Sequence, residues 1–155
     1  MESIPSLCVE IQQTLAAIYR ELARLEAEDA SLCRMWRTLA AGAARHGGPP
    51  RQAGPALAAA FPPGRLEELA ARAQGVLAAV RAARVETTDA LRACLRLEQD
   101  LGAAPCGGEE PSPSTSSEVA FARGVQARVR RLRRRLEAHL PPGRGPVREG
   151  RPVPG

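Results

Sequence analysis

The feature that most narrows the possible folds is an apolar stripe at the start of the chain. The stretch "IPSLCVEIQQTLAAIYRELARL" holds Ile4, Ile11 and Ile18, the only isoleucines present, each seven residues after the last. Leu25, Leu32 and Leu39 continue that step. Cys8, Leu15, Leu22 and Trp36 fill the alternate positions, and Asp29 is the one polar member of the series. Apolar residues at alternating four- and three-residue spacing form a band along one side of a helix, which a packed partner must cover. Read as one helix over residues 3–44, the band would extend roughly 50 Å at ~1.5 Å per residue. Leu at a with Ile at d favours assemblies of more than two helices. The seam is therefore expected to bind other helical proteins or a second copy of the chain, with Ile11, Leu15, Ile18, Leu22, Leu25, Leu32 and Trp36 as its contact residues.

Breakers divide the rest of the sequence. A Pro/Gly linker over 45–64 precedes a second helical segment, 65–101, stopped by Gly102. Its apolar stripe, which runs through Leu91, Cys94, Glu98 and Leu101, is looser, with Ala at many positions and with Arg84 interrupting it. Asp29 and Arg84 are candidates to pair across a hairpin of the first two helices and set its register. A Ser/Pro/Gly linker over 102–116 leads to a third helix, 117–140, with Thr115 and Glu118 spaced as a capping box and Pro141 and Pro142 ending it. The tail, 141–155, has almost nothing to bury and is expected to be disordered. Ser112, before Pro113, and the hydroxyl run Ser114–Ser117 lie where added phosphate would favour the start of the third helix.

The fold class expected is all-α: an elongated helical hairpin, coiled-coil-like, in a three-helix arrangement with disordered linkers and tail. Composition agrees, because the apolar content is mostly Ala and Leu and aromatic residues make up only 3% of the chain. All 22 basic residues are arginine, and lysine and asparagine are absent. GC-rich codons account for that bias, so the choice of Arg over Lys carries little meaning by itself.

The placement of the arginines carries more. In "RGVQARVRRLRRRLEAHL", residues 123–140, six of the eight positions from Arg128 to Arg135 are arginine. The exceptions, Val129 and Leu132, share a four-three stripe with Ala122, Val125 and Leu136. This is the pattern of a packed helix with arginine over its remaining surface. Residues 118–140 carry a net charge of +5 and the tail +2, whereas the first 117 residues carry −2. Three readings follow: a solvated or internally paired face, a binding surface for an acidic polymer or surface, or a nuclear-import signal. In the second, Arg128, Arg130, Arg131, Arg133, Arg134 and Arg135 would hold nucleic-acid phosphates, anionic membrane or an acidic protein tail. Base-specific readout is not expected, since no nucleic-acid-binding motif is present.

Catalytic chemistry finds no foothold. His46 and His139 have no nucleophile or carboxylate at motif spacing, and no phosphate-binding or metalloprotease signature occurs. Cys8, Cys33, Cys94 and Cys106 are far apart and form no zinc-ligand spacing. The expectation is a non-enzymatic interaction subunit of an intracellular multiprotein scaffold, without cofactor, metal, small-molecule substrate or membrane span. The N-terminus reads as lacking a secretory signal. In general form the chain resembles small helical subunits of intracellular scaffolds.

Overall fold

The seam changes direction where its one polar member stands. The computed structural model describes residues 4–45, 64–106 and 116–140. Helix α1 (Ile4–Leu25) ends at the polar run Glu26, Ala27, Glu28, Asp29. There the Asp29 carboxylate Oδ1 accepts the Leu32 N–H at 3.0 Å, and the Asp29 carbonyl accepts the Cys33 N–H at 2.8 Å. Aspartate in this role satisfies a backbone donor that a helix start leaves open. It therefore begins α2 (Ala30–Arg45). The expected continuous helix over 3–44 is corrected to two helices joined by a four-residue turn.

The turn folds the stripe onto itself. Tyr19 and Trp36, equally far from the turn, stack with ring centroids 5.9 Å apart and an interplanar angle of 20°. Ile11, Leu15, Ile18 and Leu22 of α1 and Leu32, Trp36 and Leu39 of α2 are all buried in one core. The heptad step survives because residues 25 to 32 span the turn in a single seven-residue interval. Leu25, at the turn itself, is exposed (38%).

The second expected helix is also two. Helix α3 (Arg65–Arg81) ends in a reversal at residues 82–86, and α4 (Thr87–Cys106) follows. At the end of α3 the Arg84 N–H bonds the Ala79 carbonyl (3.1 Å) and the Ala83 N–H bonds the Val80 carbonyl (2.9 Å). Ala83 takes a left-handed φ of 53°. This paired 6→1 and 5→2 closure usually employs glycine at that residue. Gly102 does not stop α4, which runs through it. Helix α5 (Ser116–His139) completes the set. Among the described residues the protein is all-α, with five helices where three were expected and no strand. The expected linker residues 46–63 and 107–115 and the tail 141–155 lie outside the described residues, and with them Ser112 and the Thr115 half of the capping box.

Helix α1 packs most extensively on α2 and on α3, and α4 on α5. The contacts of α3 with α4 and of α2 with α5 are lighter. Gly102 explains the closeness of α4 and α5: a Cβ at that position would lie 2.9 Å from Val125 Cγ1. Smaller ties bind other pairs. The Gln74 amide donates to Thr14 Oγ1 (3.2 Å) between α3 and α1. Arg72 pairs with Asp100 (2.6 Å) between α3 and α4. The Thr87 hydroxyl bonds the Glu26 carboxylate, joining the start of α4 to the end of α1.

Candidate functional site

Helix α5 divides its arginines between the inside and the outside of the molecule. Arg128 stands between Val125 and Leu132 at helical i+3 and i+4 steps, so it falls on the apolar face. It is 4% exposed. Its guanidinium Nε donates to Glu98 Oε1 at 2.7 Å, and Nη2 donates to Gln12 Oε1 at 3.1 Å. The Tyr19 hydroxyl donates to the same Glu98 oxygen at 2.6 Å. One buried carboxylate on α4 thus joins α1 and α5. Among the described residues, Glu98 Oε2, Arg128 Nη1 and Gln12 Nε2 are buried without a hydrogen-bond partner.

This cluster alters its neighbours. Burial first, and then the Glu98 charge, push the Tyr19 phenol well above its ordinary range, with Arg128 opposing. Burial and then Glu98 likewise raise the Cys94 thiol. Cys8 is pushed up to about 11 by burial. Cys8, Cys33 and Cys94 are free and buried, which withdraws their thiols from solvent.

The outer arginines face a groove. Where α2 and α5 touch only lightly, a depression of about 850 Å³ opens between them. Arg34 of α2 and Arg130, Arg131, Arg134 and Arg135 of α5 line it. Ser31, Met35, Thr38, Ala127 and Ala138 supply its remaining surface, and no carboxylate is among the lining residues. Arg135 is held in place: Nη1 donates to Ser31 Oγ at 2.9 Å and Nη2 lies 3.6 Å from Asp29 Oδ2. Among the described residues, Arg34, Arg130, Arg131 and Arg134 have no ion-pair partner.

Measured against the sequence-derived sites, the seam residues come together, but inside the chain. Ile11, Leu15, Ile18, Leu22, Leu32 and Trp36 are covered by the protein's own helices and offer no free surface. Of the seven expected contact residues, Leu25 alone reaches solvent. Of the six candidate acid-binding arginines, Arg128 is withdrawn by its bond to Glu98. Arg130, Arg131, Arg134 and Arg135 converge on the groove, and exposed Arg133 falls outside its lining. Asp29 pairs with Arg135, while Arg84, its expected partner, stands exposed in the α3–α4 reversal. Arg34 was not anticipated as part of this surface. It stands 96 residues before Arg130, the first α5 arginine in the lining, and only the fold brings the two together.

No family model, curated protein or solved structure matches the chain. Among the described residues no helix is long and apolar enough to cross a membrane, and no group of three or more His, Cys, Asp or Glu could hold a metal ion.

Proposed function

We propose that this protein is a non-enzymatic helical interaction module that engages an acidic partner through the α2–α5 groove. The observation that carries this reading is the convergence of five guanidinium groups, four of them unpaired, on a lining without a carboxylate. Like charges so placed repel one another, and a bound anion relieves that repulsion. Arginine suits the task because its planar fork can hold a carboxylate or phosphate oxygen pair in two places. The buried thiols Cys8, Cys33 and Cys94 suit a reducing, intracellular setting. Assembly through the first seam, the alternative reading, would require α1 and α2 to open, since their stripes cover each other.

The test is binding of the full chain to fluorescent polyglutamate and to a fluorescent oligonucleotide across a salt series. Attraction between exposed charges falls as the screening length shrinks. Affinity for at least one probe should drop steeply with salt, and Arg130→Gln/Arg134→Gln should lower it tenfold or more. Arg133→Gln, off the groove, should change it little. Equal losses from Arg133→Gln and from the groove pair would refute the assignment to this surface.

A further inference from the structure

We infer that the occupant of the groove is an acidic amphipathic helix of another protein, carrying carboxylates on both sides of a small apolar ridge. The inference rests on the groove reading above and adds the class of partner. Its first support is the shape of the walls. Ser31, Arg34, Met35 and Thr38 follow the i, i+3, i+4, i+7 pattern of one helical face. On α5, Arg130 and Arg134, and Arg131 and Arg135, are each one turn apart. Two helices that touch only lightly leave between them the channel into which a third helix packs. The lined stretch is about two turns, roughly 10 Å, on α2 (Ser31 to Thr38) and about three turns, roughly 16 Å, on α5 (Ala127 to Ala138).

The second support is the floor. Met35, 8% exposed, is the apolar residue that α2 gives the lining, and Ala127 and Ala138 are those that α5 gives it. Methionine is flexible and adapts to apolar side chains that approach it. Small alanines admit close approach of another backbone. A phosphate polymer has no apolar group to place on this floor. Among the described side chains the aromatic ones, Tyr19 and Trp36, are buried in the core and are not offered for base stacking. A helix with Glu at i and i+4 matches the arginine spacing on α5 turn for turn, and its intervening Leu or Ala reaches Met35.

The third support is the fixed arginine. Arg135 is anchored by Ser31 and Asp29, and its Nε is buried without a hydrogen-bond partner among the described residues. The anchored group sets one end of the charge pattern, which favours a partner of defined spacing over a flexible polyanion.

The experiment uses the full chain and fluorescence anisotropy with three probes. One is an 18-residue peptide with Glu pairs at i and i+4 flanking a Leu/Ala ridge. The second has the same composition in scrambled order, and the third is a single-stranded oligonucleotide of equal charge. The patterned peptide should bind at least tenfold more tightly than either. Met35→Glu and Arg130→Gln/Arg134→Gln should each weaken it tenfold or more, and circular dichroism should show the helices retained. Peptide helicity should rise on binding. If the scrambled peptide or the oligonucleotide binds as well as the patterned peptide, with the arginine pair still required, the helical-partner inference is overturned and the groove reading stands. If no probe distinguishes the arginine pair variant from the parent protein, both are overturned. Should Met35→Glu disturb the fold, Met35→Ala, expected to cost threefold or more in affinity for the patterned peptide alone, replaces it.

Discussion

Glu98 and Arg128 show how one residue can differ from identical neighbours. In the sequence Arg128 is one of six arginines in eight positions, and nothing about its type sets it apart. Its position does, since Val125 and Leu132 stand one helical turn to either side, but a run of arginine reads more readily as a solvated surface. Glu98 carried the complementary signal, a charge between Cys94 and Leu101 on the stripe of the second segment. Removing one partner of a buried ion pair leaves the other charge uncompensated and typically costs about 3–5 kcal/mol. Glu98→Ala should therefore lower unfolding free energy by about that amount in urea titrations. The double change Glu98→Leu/Arg128→Met should cost much less than the sum of the two single changes. Additive losses would mean that the pair is not coupled. The raised thiols and phenol give a pH dependence of definite sign. A group that ionises less readily folded than unfolded adds stability that is complete below its ordinary range and lost as pH rises through it. The ordinary values are 9.0 for Cys94 and 10.0 for Tyr19. The urea midpoint should accordingly decline with increasing pH above about 9, and Tyr19→Phe should flatten the part of the decline above about 10. A midpoint that climbs through this range would contradict the burial of both groups.

At the level of the elements, the helical character of every described segment was readable, and the breaks were not. The heptad step hides the α1–α2 turn because four turn residues fit within one seven-residue interval. The clue was Asp29, the single polar seam residue, which caps a helix here and does not select a register. The α3–α4 reversal was harder to see, because Ala83 occupies a left-handed position where glycine would have announced it. Replacing Ala83 by glycine should relieve that strain and raise stability by about 1 kcal/mol, read from the denaturation midpoint. Gly102 misled in the opposite way. It looked like a helix stop and is a point of close approach. Gly102→Ala removes a poor helix former, worth about 1 kcal/mol, yet drives a methyl into Val125, and overpacking of this kind costs about 1–3 kcal/mol. The variant should be less stable than the parent, and Val125→Ala should be less damaging in its presence than in its absence. Equal effects of Val125→Ala in both backgrounds would remove the steric account.

For the whole molecule, the all-α class was legible because stripes of four-three spacing recur in all three predicted segments. The architecture was not legible, since it depends on which stripe covers which, and periodicity is silent on pairing. The basic groove was half visible. Its α5 wall stood out in charge counts, whereas Arg34 was one of three arginines in α2 until the fold set it in one lining with Arg130 and Arg134. Helix α5 is also part of the core through Val125, Arg128 and Leu132. A chain ending at residue 115 should thus lose cooperative unfolding as well as its anion binding, a result that calorimetry and circular dichroism would register. Retention of a sharp thermal transition would show that α5 is an appendage.

The hairpin of α1 and α2 has a consequence for behaviour in dilute solution. A band of apolar side chains that long ordinarily compels a protein to seek company, and its melting then depends on how much of it is present. Here each half of the band shields the other, so its buried residues present no apolar face for a neighbour to cover. The melting temperature should hold constant over about a hundredfold range of protein concentration.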